Sequence, residues 1–210
     1  MRAVVIRDAR VPAEMPVVRA LFDEYAASLH VDLSFQDFAS ELAELPGEYA
    51  APHGCLLVVV DGGDRWAWPP HARGRSDDLR ASHSDVRPWG GPSGSRASLL
   101  PEGVGFDARD GPSRLIGCVA LRALAGGEET QGEIKRLYLR PAARGRGVGR
   151  ELALAAITRA RAIGYRSLKL DTLASMRSAR ALYSSLGFRE CAPYYRNPLP
   201  GTTYMEIALG

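Results

Sequence analysis

The residues best suited to chemistry in this chain form a glycine- and arginine-rich segment, Arg144–Arg150. Its glycines have no Cβ, so their backbone amides can come close to a ligand. A predicted helix follows, and its first amides lack partners within the helix while its dipole is positive at that end. Three side chains add donors and positive charge: Arg144, Arg146 and Arg150. The segment therefore predicts an anion site suited to a diphosphate.

Other diphosphate-binding loops have different spacings. A P-loop requires Gly-x-x-x-x-Gly-Lys followed by Ser or Thr, and this segment has no lysine. A dinucleotide-binding turn requires Gly-x-Gly-x-x-Gly directly after a strand, whereas Gly-x-Gly-x-Gly here follows Pro141 and lies beyond the strand. An arginine-rich helix start, with glycines that only permit close packing, is a third interpretation that the segment alone leaves open.

The spacing of apolar residues predicts the elements that position this segment. The predicted strands are residues 2–7, 55–62, 114–124, 133–141, 167–173, 188–192 and 202–209. Four helices are predicted. The first has an apolar face from Val18 to Leu29, the second is short and lies between Ser34 and Pro46, the third covers 142–164, and the fourth runs from Ser175 to Gly187. Caps are expected at Ser34 (with Asp37 in the box position), Ser175 and Gly164.

This order of elements predicts a mixed α/β (α+β) fold. The central strand–helix–strand unit is expected to be a parallel right-handed crossover, and the flanking strands are expected to pair antiparallel. Helices then cover both faces of a mostly antiparallel sheet. One domain, residues 1–210, is interrupted at about 62–113 by a Gly/Pro/Ser/Arg-rich insertion that is expected to be flexible. The insertion contains Trp66, Trp68 and Trp89, which leaves open a lid or docking role beside a tolerated surface insertion.

Two motifs on these elements resemble one known family. Arg144-x-x-Gly147-x-Gly149 resembles the R/Q-x-x-G-x-G/A signature of the GNAT superfamily of N-acetyltransferases, and Ala179 to Phe188 is similar to that family's other familiar stretch. The resemblance implies a GNAT-like sheet and acetyl-CoA as cosubstrate, with no metal. It implies that the strand before the loop pairs with pantetheine and that the loop holds the pyrophosphate. The implied cofactor contacts are Leu137, Tyr138, Leu139, Arg144, Gly145, Arg146, Gly147, Val148, Gly149 and Arg150.

The resemblance also implies catalytic roles for two residues. Tyr183 is placed as the general acid that protonates the CoA sulfur, although its spacing also suits a packed helix aromatic. Glu133 lies eleven residues before Arg144, the interval of the general-base glutamate in the histone acetyltransferase branch. It is equally consistent with a strand-surface carboxylate paired with Lys135 or Arg166, and a water chain can replace a base. A backbone amide near Leu137 is implied to hold the thioester carbonyl.

The sequence departs from the family at one cofactor position. Many relatives have an asparagine seven residues before the tyrosine, where this chain has Met176, so Ser175 or Ser178 is expected to replace that contact. Substrate selection is expected from the first two helices and the last hairpin, with Tyr25, Tyr194 and Tyr195 lining the site beside Arg196. A turn with packed aromatics is the alternative for residues 194–198. The acceptor is expected to be a small-molecule amine or a peptide N-terminus.

Composition narrows the remaining classes of function. The net charge of +3 is modest, and nucleic-acid binding is not expected without a concentrated basic face. No run of about 18 apolar residues occurs, so no membrane span is expected, and a cytoplasmic location is predicted. Neither the three cysteines nor the four histidines have metal-ligand spacing. An active acetyltransferase, monomeric or homodimeric, is expected; the alternative is a CoA-binding regulatory module with weak or no turnover.

Overall fold

The computed structural model describes residues 4–62 and 114–210. Within these residues a seven-stranded sheet has the order β1-β2-β3-β4-β5-β7-β6. The strands are β1 (Val4–Asp8), β2 (Cys55–Asp61), β3 (Leu115–Ala123), β4 (Gln131–Leu139), β5 (Ser167–Thr172), β6 (Arg189–Glu190) and β7 (Thr203–Ala208). Neighbouring strands are antiparallel except β4 and β5, which are parallel. The predicted mixed sheet with one central parallel pair is therefore confirmed.

Helices cover both faces of this sheet. Helices α1 (Met15–Leu29) and α2 (Phe38–Glu44) lie on one face, and α3 (Val148–Ile163) and α4 (Arg177–Ser185) lie on the other. Successive residues of β2 point to opposite faces: Val58 packs in the α1 cluster and Val59 in the α3 cluster. Because both faces are covered, the first six residues of β2 are buried, which explains its continuous apolar sequence.

Helix α3 is the crossover between the parallel strands. Its inner face is built largely from small residues, and Ala153, Ala156 and Ala160 are completely buried against the sheet. The helix ends at Gly164, which has φ +106° and donates its amide to the Ala160 and Arg161 carbonyls. The predicted C-terminal cap is therefore confirmed.

Three details of the predicted helices were wrong. The long helix begins at Val148 rather than 142, because Gly145 and Gly147 have φ +72° and +81° and break the helical path. Ser34 does not cap α2, since it begins a short 3₁₀ turn and its hydroxyl donates to Asp32 instead. Ser175 does not cap α4, whose N-cap is Met176 without a side-chain hydrogen bond.

The ends of the chain's strands also differ slightly from prediction. The strand expected at 188–192 has only the two residues Arg189–Glu190, while that expected at 202–209 is present as β7. The insertion expected at about 62–113 lies outside the described residues, apart from Gly62. Among the residues that the structure describes, no helix has the length and apolar character needed to cross a membrane.

Candidate active site

A cleft opens in the sheet where its two parallel strands separate. β4 and β5 pair at only three positions, Gln131–Glu133 against Ser167–Lys169. Beyond them β4 stays with β3 and β5 stays with β7, so the two parts of the sheet diverge. The lining of this cleft includes Tyr25, Lys135, Leu137, Asp171, Met176 and Tyr183. The cleft therefore combines the strand predicted to bind pantetheine with the tyrosine predicted to act as an acid.

A β-bulge turns β4 beside the cleft. Cys118 of β3 faces Tyr138 but Ala120 faces Lys135, so β4 has one extra residue in this stretch. Within it Arg136 has φ +56°, an uncommon conformation for a residue with a Cβ. The bulge interrupts the regular ladder immediately before Leu137. The family resemblance implies that an amide near Leu137 holds the thioester carbonyl, and that role stays a prediction.

A buried ion pair holds the bulge in place. Arg136 Nε donates to Glu41 Oε1 at 2.9 Å, and Arg136 Nη2 contacts the other carboxylate oxygen. Glu41 also accepts a hydrogen bond from Tyr49 OH at 2.6 Å. The guanidinium lies 4.9 Å from the ring centroid of Phe38. Helix α2 therefore fixes the strained strand residue through charge and aromatic contact.

The glycine loop forms an open cradle before α3. A Cβ placed on Gly145 or Gly147 would meet no described heavy atom within 4 Å, so the outer surface of the loop is accessible. The start of α3 adjoins these glycines, and the helix dipole is positive at that end. Gly149 is different, because a Cβ there would lie 3.6 Å from Leu139 Cδ1, at ordinary van der Waals distance from β4. These residues fit a diphosphate.

Arg144 and Arg150, which are predicted to bind phosphate, also contact protein. Arg144 Nε donates to the Leu139 carbonyl at 2.8 Å, and its guanidinium lies over the Tyr138 ring. Arg150 Nη1 donates to Ser185 Oγ at 2.8 Å. Each guanidinium has five N–H donors, so these contacts leave donors for an anion. Their role toward phosphate stays a prediction.

Tyr183 projects from α4 into the cleft. Its side chain is buried and packs edge-to-face on Phe188, with ring centroids 5.5 Å apart. Burial, and then the neighbouring Tyr25 and Asp171, raise the pKa of Tyr183 well above its ordinary value. The phenol therefore keeps its proton at neutral pH, as a general acid must. Met176 lines the cleft nearby, while Ser175 and Ser178 are exposed, and their predicted cofactor contacts stay predictions.

Glu133 lies in a second pocket that adjoins the cleft. This second pocket is lined by Phe35, Glu41, Arg122, Glu133, Tyr194 and Tyr195, and it shares Gln36, Lys135 and Arg136 with the cleft. The Glu133 side chain is only 3% exposed. Its Oε2 accepts from Arg122 Nε at 3.0 Å and pairs with Arg122 Nη2 at 2.9 Å. Its Oε1 accepts from Tyr194 OH at 2.9 Å and lies 3.6 Å from Lys135 Nζ.

Tyr194 and Tyr195 line the second pocket on the side of the last hairpin, and Tyr204 packs against both. The rings of Tyr194, Tyr195 and Tyr204 pack against one another with centroids 5.3–5.6 Å apart. Tyr195 OH accepts hydrogen bonds from Gln36 Nε2 at 3.2 Å and Asn197 Nδ2 at 3.0 Å. The aromatic packing expected as an alternative is therefore present, and the role of Tyr194 and Tyr195 toward a substrate stays a prediction. Arg196 is exposed, and Tyr25 lines the cleft rather than the second pocket.

Sequence reasoning missed several polar residues of the two pockets. Asp171 lies on β5, where every second residue from Ser167 onward is polar, and this alternation was an available signal. Arg122 and Glu41 reach the site across strand and helix contacts that local patterns do not reveal. Lys135 was noted only as a possible partner of Glu133, yet its Nζ lies closer to Asp171, at 3.1 Å.

Known proteins match this chain in family and in fold. The model of the Acetyltransferase (GNAT) family matches residues 64–188. An uncharacterised N-acetyltransferase of Schizosaccharomyces pombe is 29% identical over 200 residues, which cover 95% of this chain and 91% of that protein.

Solved structures share the fold at low sequence identity. A GNAT-family acetyltransferase of Staphylococcus aureus Mu50 has a TM-score of 0.61 and 13% identity, with 99% of this chain and 100% of that chain covered. The Salmonella typhimurium protein yncA, solved with its cofactor acetyl-CoA, has a TM-score of 0.54 and 17% identity, with 99% and 94% covered. At these identities the likeness concerns the fold alone.

Proposed function

We propose, from the premise that this chain belongs to the GNAT family of acetyltransferases, that it transfers an acetyl group from acetyl-CoA to a primary amine by direct attack. The chain is an acyltransferase by family, and the donor and acceptor are the proposed part. The observation that carries the proposal is the cleft between β4 and β5, with Tyr183 in its wall and the α3 glycine loop beyond Leu139.

The residues of the cleft and loop fit acetyl-CoA. The open cradle at Gly145 and Gly147, at the N-terminus of α3, suits the pyrophosphate. The separated edge of β4, residues 137–139, has no parallel partner from β5 and suits a pantetheine chain that adds to a strand edge. When bound, acetyl-CoA supplies a thioester whose carbonyl carbon is electrophilic.

The chain's own residues would then meet the needs of amide formation. An amide at the bulge, near Leu137, would polarise the carbonyl oxygen as negative charge grows on it. Tyr183 would hold a proton for the departing thiolate, in agreement with its raised pKa. Glu133 as the base stays a prediction, and in that role it would have to share its carboxylate with Arg122.

A covalent acetyl-enzyme route has little support among the described thiols. Burial raises the pKa of Cys55 to about 12 and raises that of Cys118 still further. Burial also raises the pKa of the half-buried Cys191 thiol. These groups are therefore thiols rather than nucleophilic thiolates at neutral pH, which supports direct attack.

The acceptor is proposed to be a small-molecule amine or a peptide N-terminus that enters through the second pocket. That pocket adjoins the cleft through Gln36, Lys135 and Arg136, so an amine there has a path to the thioester. Its tyrosine wall offers flat apolar surface with hydroxyl groups at the edges. A shallow amphipathic substrate is therefore favoured over a long aliphatic one.

The first test is calorimetric titration of the chain with acetyl-CoA and CoA. Gly147→Ala is expected to weaken binding at least tenfold, because its positive φ and its place in the cradle both disfavour a Cβ. Gly164→Ala is the matched control: it is a positive-φ glycine with an equally open Cβ position at the other end of α3. Equal affinity of both variants and the intact chain would refute the cradle. Binding without turnover on any amine would instead support a regulatory module.

A further inference from the structure

Asp171 faces the cleft with a carboxylate that is only partly occupied. It lies on β5, two residues beyond the last pair with β4, and its side chain is 11% exposed. Oδ1 accepts from Lys135 Nζ at 3.1 Å, and Oδ2 accepts a longer hydrogen bond from Asn197 Nδ2 at 3.3 Å. Burial, and then the charge and hydrogen bonding of Asp171, raise the pKa of Tyr195. In the described part of the chain, Lys135, Asn197 and Tyr195 therefore donate to a carboxylate that has about four acceptor positions.

Glu133 is held mainly by one guanidinium. Arg122 supplies two N–H groups to one of its oxygens at 2.9–3.0 Å, and Tyr194 OH donates to the other at 2.9 Å. Lys135 Nζ lies 3.6 Å from that second oxygen, beyond hydrogen-bond distance. To take a proton Glu133 would have to weaken a charge-assisted contact with arginine in a nearly closed environment. Its geometry is that of a residue that holds other side chains in place.

Asp171 also shares a cavity with the proposed acid. Asp171 and Tyr183 both line the cleft, whereas Glu133 lines only the second pocket. The charge of Asp171 contributes to the raised pKa of both Tyr183 and Tyr25. A base and an acid that act on opposite sides of one carbonyl carbon must lie around one cavity.

Unpaired polar atoms beside Asp171 point to a polar ligand. Thr172 is 3% exposed, and its Oγ1 has no hydrogen-bond partner within residues 4–62 and 114–210. Gln36 Oε1 is likewise buried and without a partner in that part of the chain. Both residues line the cleft, and both oxygens can accept an N–H group. Buried polar atoms are rarely left unpaired, so a polar partner, an amine or a water molecule, is expected beside these oxygens.

We propose that Asp171 receives the proton that the acceptor ammonium gives up, and that Glu133 positions Arg122, Lys135 and Tyr194. The proposal rests on the acetyl transfer proposed above. The nitrogen loses two protons in all: the first passes to Asp171 and then to water, which frees the electron pair for attack. The C–N bond forms and the C–S bond breaks with its electrons on sulfur. Tyr183 protonates the sulfur, and the second proton of the nitrogen restores the phenol.

Several other groups will influence the pH dependence of this step. Lys135 lies between the two carboxylates, 3.1 Å from Asp171 and 3.6 Å from Glu133. The other titratable groups that experience the charge of Asp171 come from α1, α4 and the last hairpin: Tyr25, Tyr183, Tyr194, Tyr195 and Tyr204. Burial raises the pKa of each of these phenols, so they stay protonated across the neutral range.

The experiment compares Asp171→Asn with Glu133→Gln in the full chain, on an amine that the intact protein acetylates. At neutral pH, kcat/KM of Asp171→Asn is expected to fall about 10²-fold. Its kcat/KM should then rise about tenfold per pH unit until the free amine loses its own proton, while the intact protein levels off earlier. Glu133→Gln should lower kcat/KM by the same factor at every pH, so that its pH profile keeps the shape seen with the intact protein. The fall in kcat/KM caused by Asp171→Asn should be smaller with a fluorinated, less basic analogue of the same amine than with the parent amine.

Binding provides a readout that does not depend on turnover. CoA affinity should be unchanged within about threefold in both variants, which also establishes that they fold. The same amine titrated into the CoA complex should bind more weakly to Asp171→Asn than to Glu133→Gln at neutral pH. If Asp171→Asn does not fold, Asp171→Ser serves in the same measurements.

Each outcome decides the proposal. If the pH profile of kcat/KM is the same for Asp171→Asn as for the intact protein, the proposal is overturned. If kcat/KM rises tenfold per pH unit in Glu133→Gln alone, Glu133 is the base. Unaltered profiles in both variants would leave proton removal to water. If the intact protein binds acetyl-CoA yet acetylates no amine, the proposed function itself fails, and the assignment of Asp171 fails with it.

Discussion

Removal of the Glu41 carboxylate tests whether the bulge in β4 depends on its buried ion pair. The Arg136 side chain is 2% exposed and that of Glu41 is 13% exposed, so little water can replace the lost partner. Breaking a buried pair from one side costs about 3–5 kcal/mol. Glu41→Gln keeps the shape and some hydrogen bonding, so we expect a loss of about 3 kcal/mol in the free energy of unfolding. That is roughly a hundredfold change in the ratio of folded to unfolded chain.

Equilibrium urea unfolding measures this loss, with Glu44→Gln as the matched control. Glu44 ends the same helix and is exposed, so its change should stay within about 0.5 kcal/mol. The double variant Glu41→Leu with Arg136→Met should be more stable than Glu41→Gln, because no unpaired charge remains buried. A Glu41→Gln protein within about 1 kcal/mol of the intact chain would refute the reasoning.

The same pair has a predictable pH dependence. Burial by itself would raise the pKa of Glu41, but the hydrogen bonds and charge of Arg136 outweigh it and lower the pKa below 4.5. The unfolded chain therefore binds this proton more readily than the folded chain does. The contribution of the pair is complete above about pH 4.5 and is lost as the pH falls through the lower folded value. The difference in stability between the intact chain and Glu41→Gln should accordingly shrink in acid, as urea midpoints at successive pH values would reveal; a constant difference would contradict it.

Two further predictions concern the acid and the core. Tyr183→Phe is expected to lower kcat about 10²-fold with CoA affinity unchanged by calorimetry, and a loss below threefold would exclude the phenol from proton transfer. Leu152→Ala, at a completely buried position of α3, should lower the free energy of unfolding by about 3 kcal/mol in urea. The exposed Leu154→Ala on the same helix is its control, and equal effects would contradict the assigned packing.

Local patterns predicted the elements but not their exact limits. The continuous apolar run of β2 predicted a strand and the apolar stripe of α3 predicted a helix packed on the sheet, because burial leaves a clear trace in composition. Ser34 and Ser175 were misassigned as caps because a serine near a helix start has other hydrogen-bond choices. Ser34 hydroxyl, for example, donates to Asp32.

The site was predictable only as far as a motif or a short spacing defined it. Tyr183 and Gly147 follow from such motifs, and the structure places them at the cleft and the cradle. The partners of Glu133 do not follow, because Arg122 meets it through the register of β3 against β4, which no local signal specifies. The left-handed conformation of Arg136 was also invisible, since glycine or asparagine is the usual sign of such a position.

The bulge and the cleft lie side by side along β4, where its pairing changes on both edges. β4 keeps β3 as its neighbour through Leu139, and β5 keeps β7 through Thr172, so neither strand loses its ladder when the two separate. Only the facing edges of β4 and β5 lack a neighbouring strand, in the residues after Glu133 and Lys169. A bound chain with its own amides and carbonyls can replace those partners. The contact of Lys135 with Asp171 then spans the gap from β4 to β5, where the charge of an arriving ammonium would compete with the lysine. The same divergence thus exposes the backbone that we propose for cosubstrate binding and places Asp171 in the cleft proposed to hold the acceptor amine.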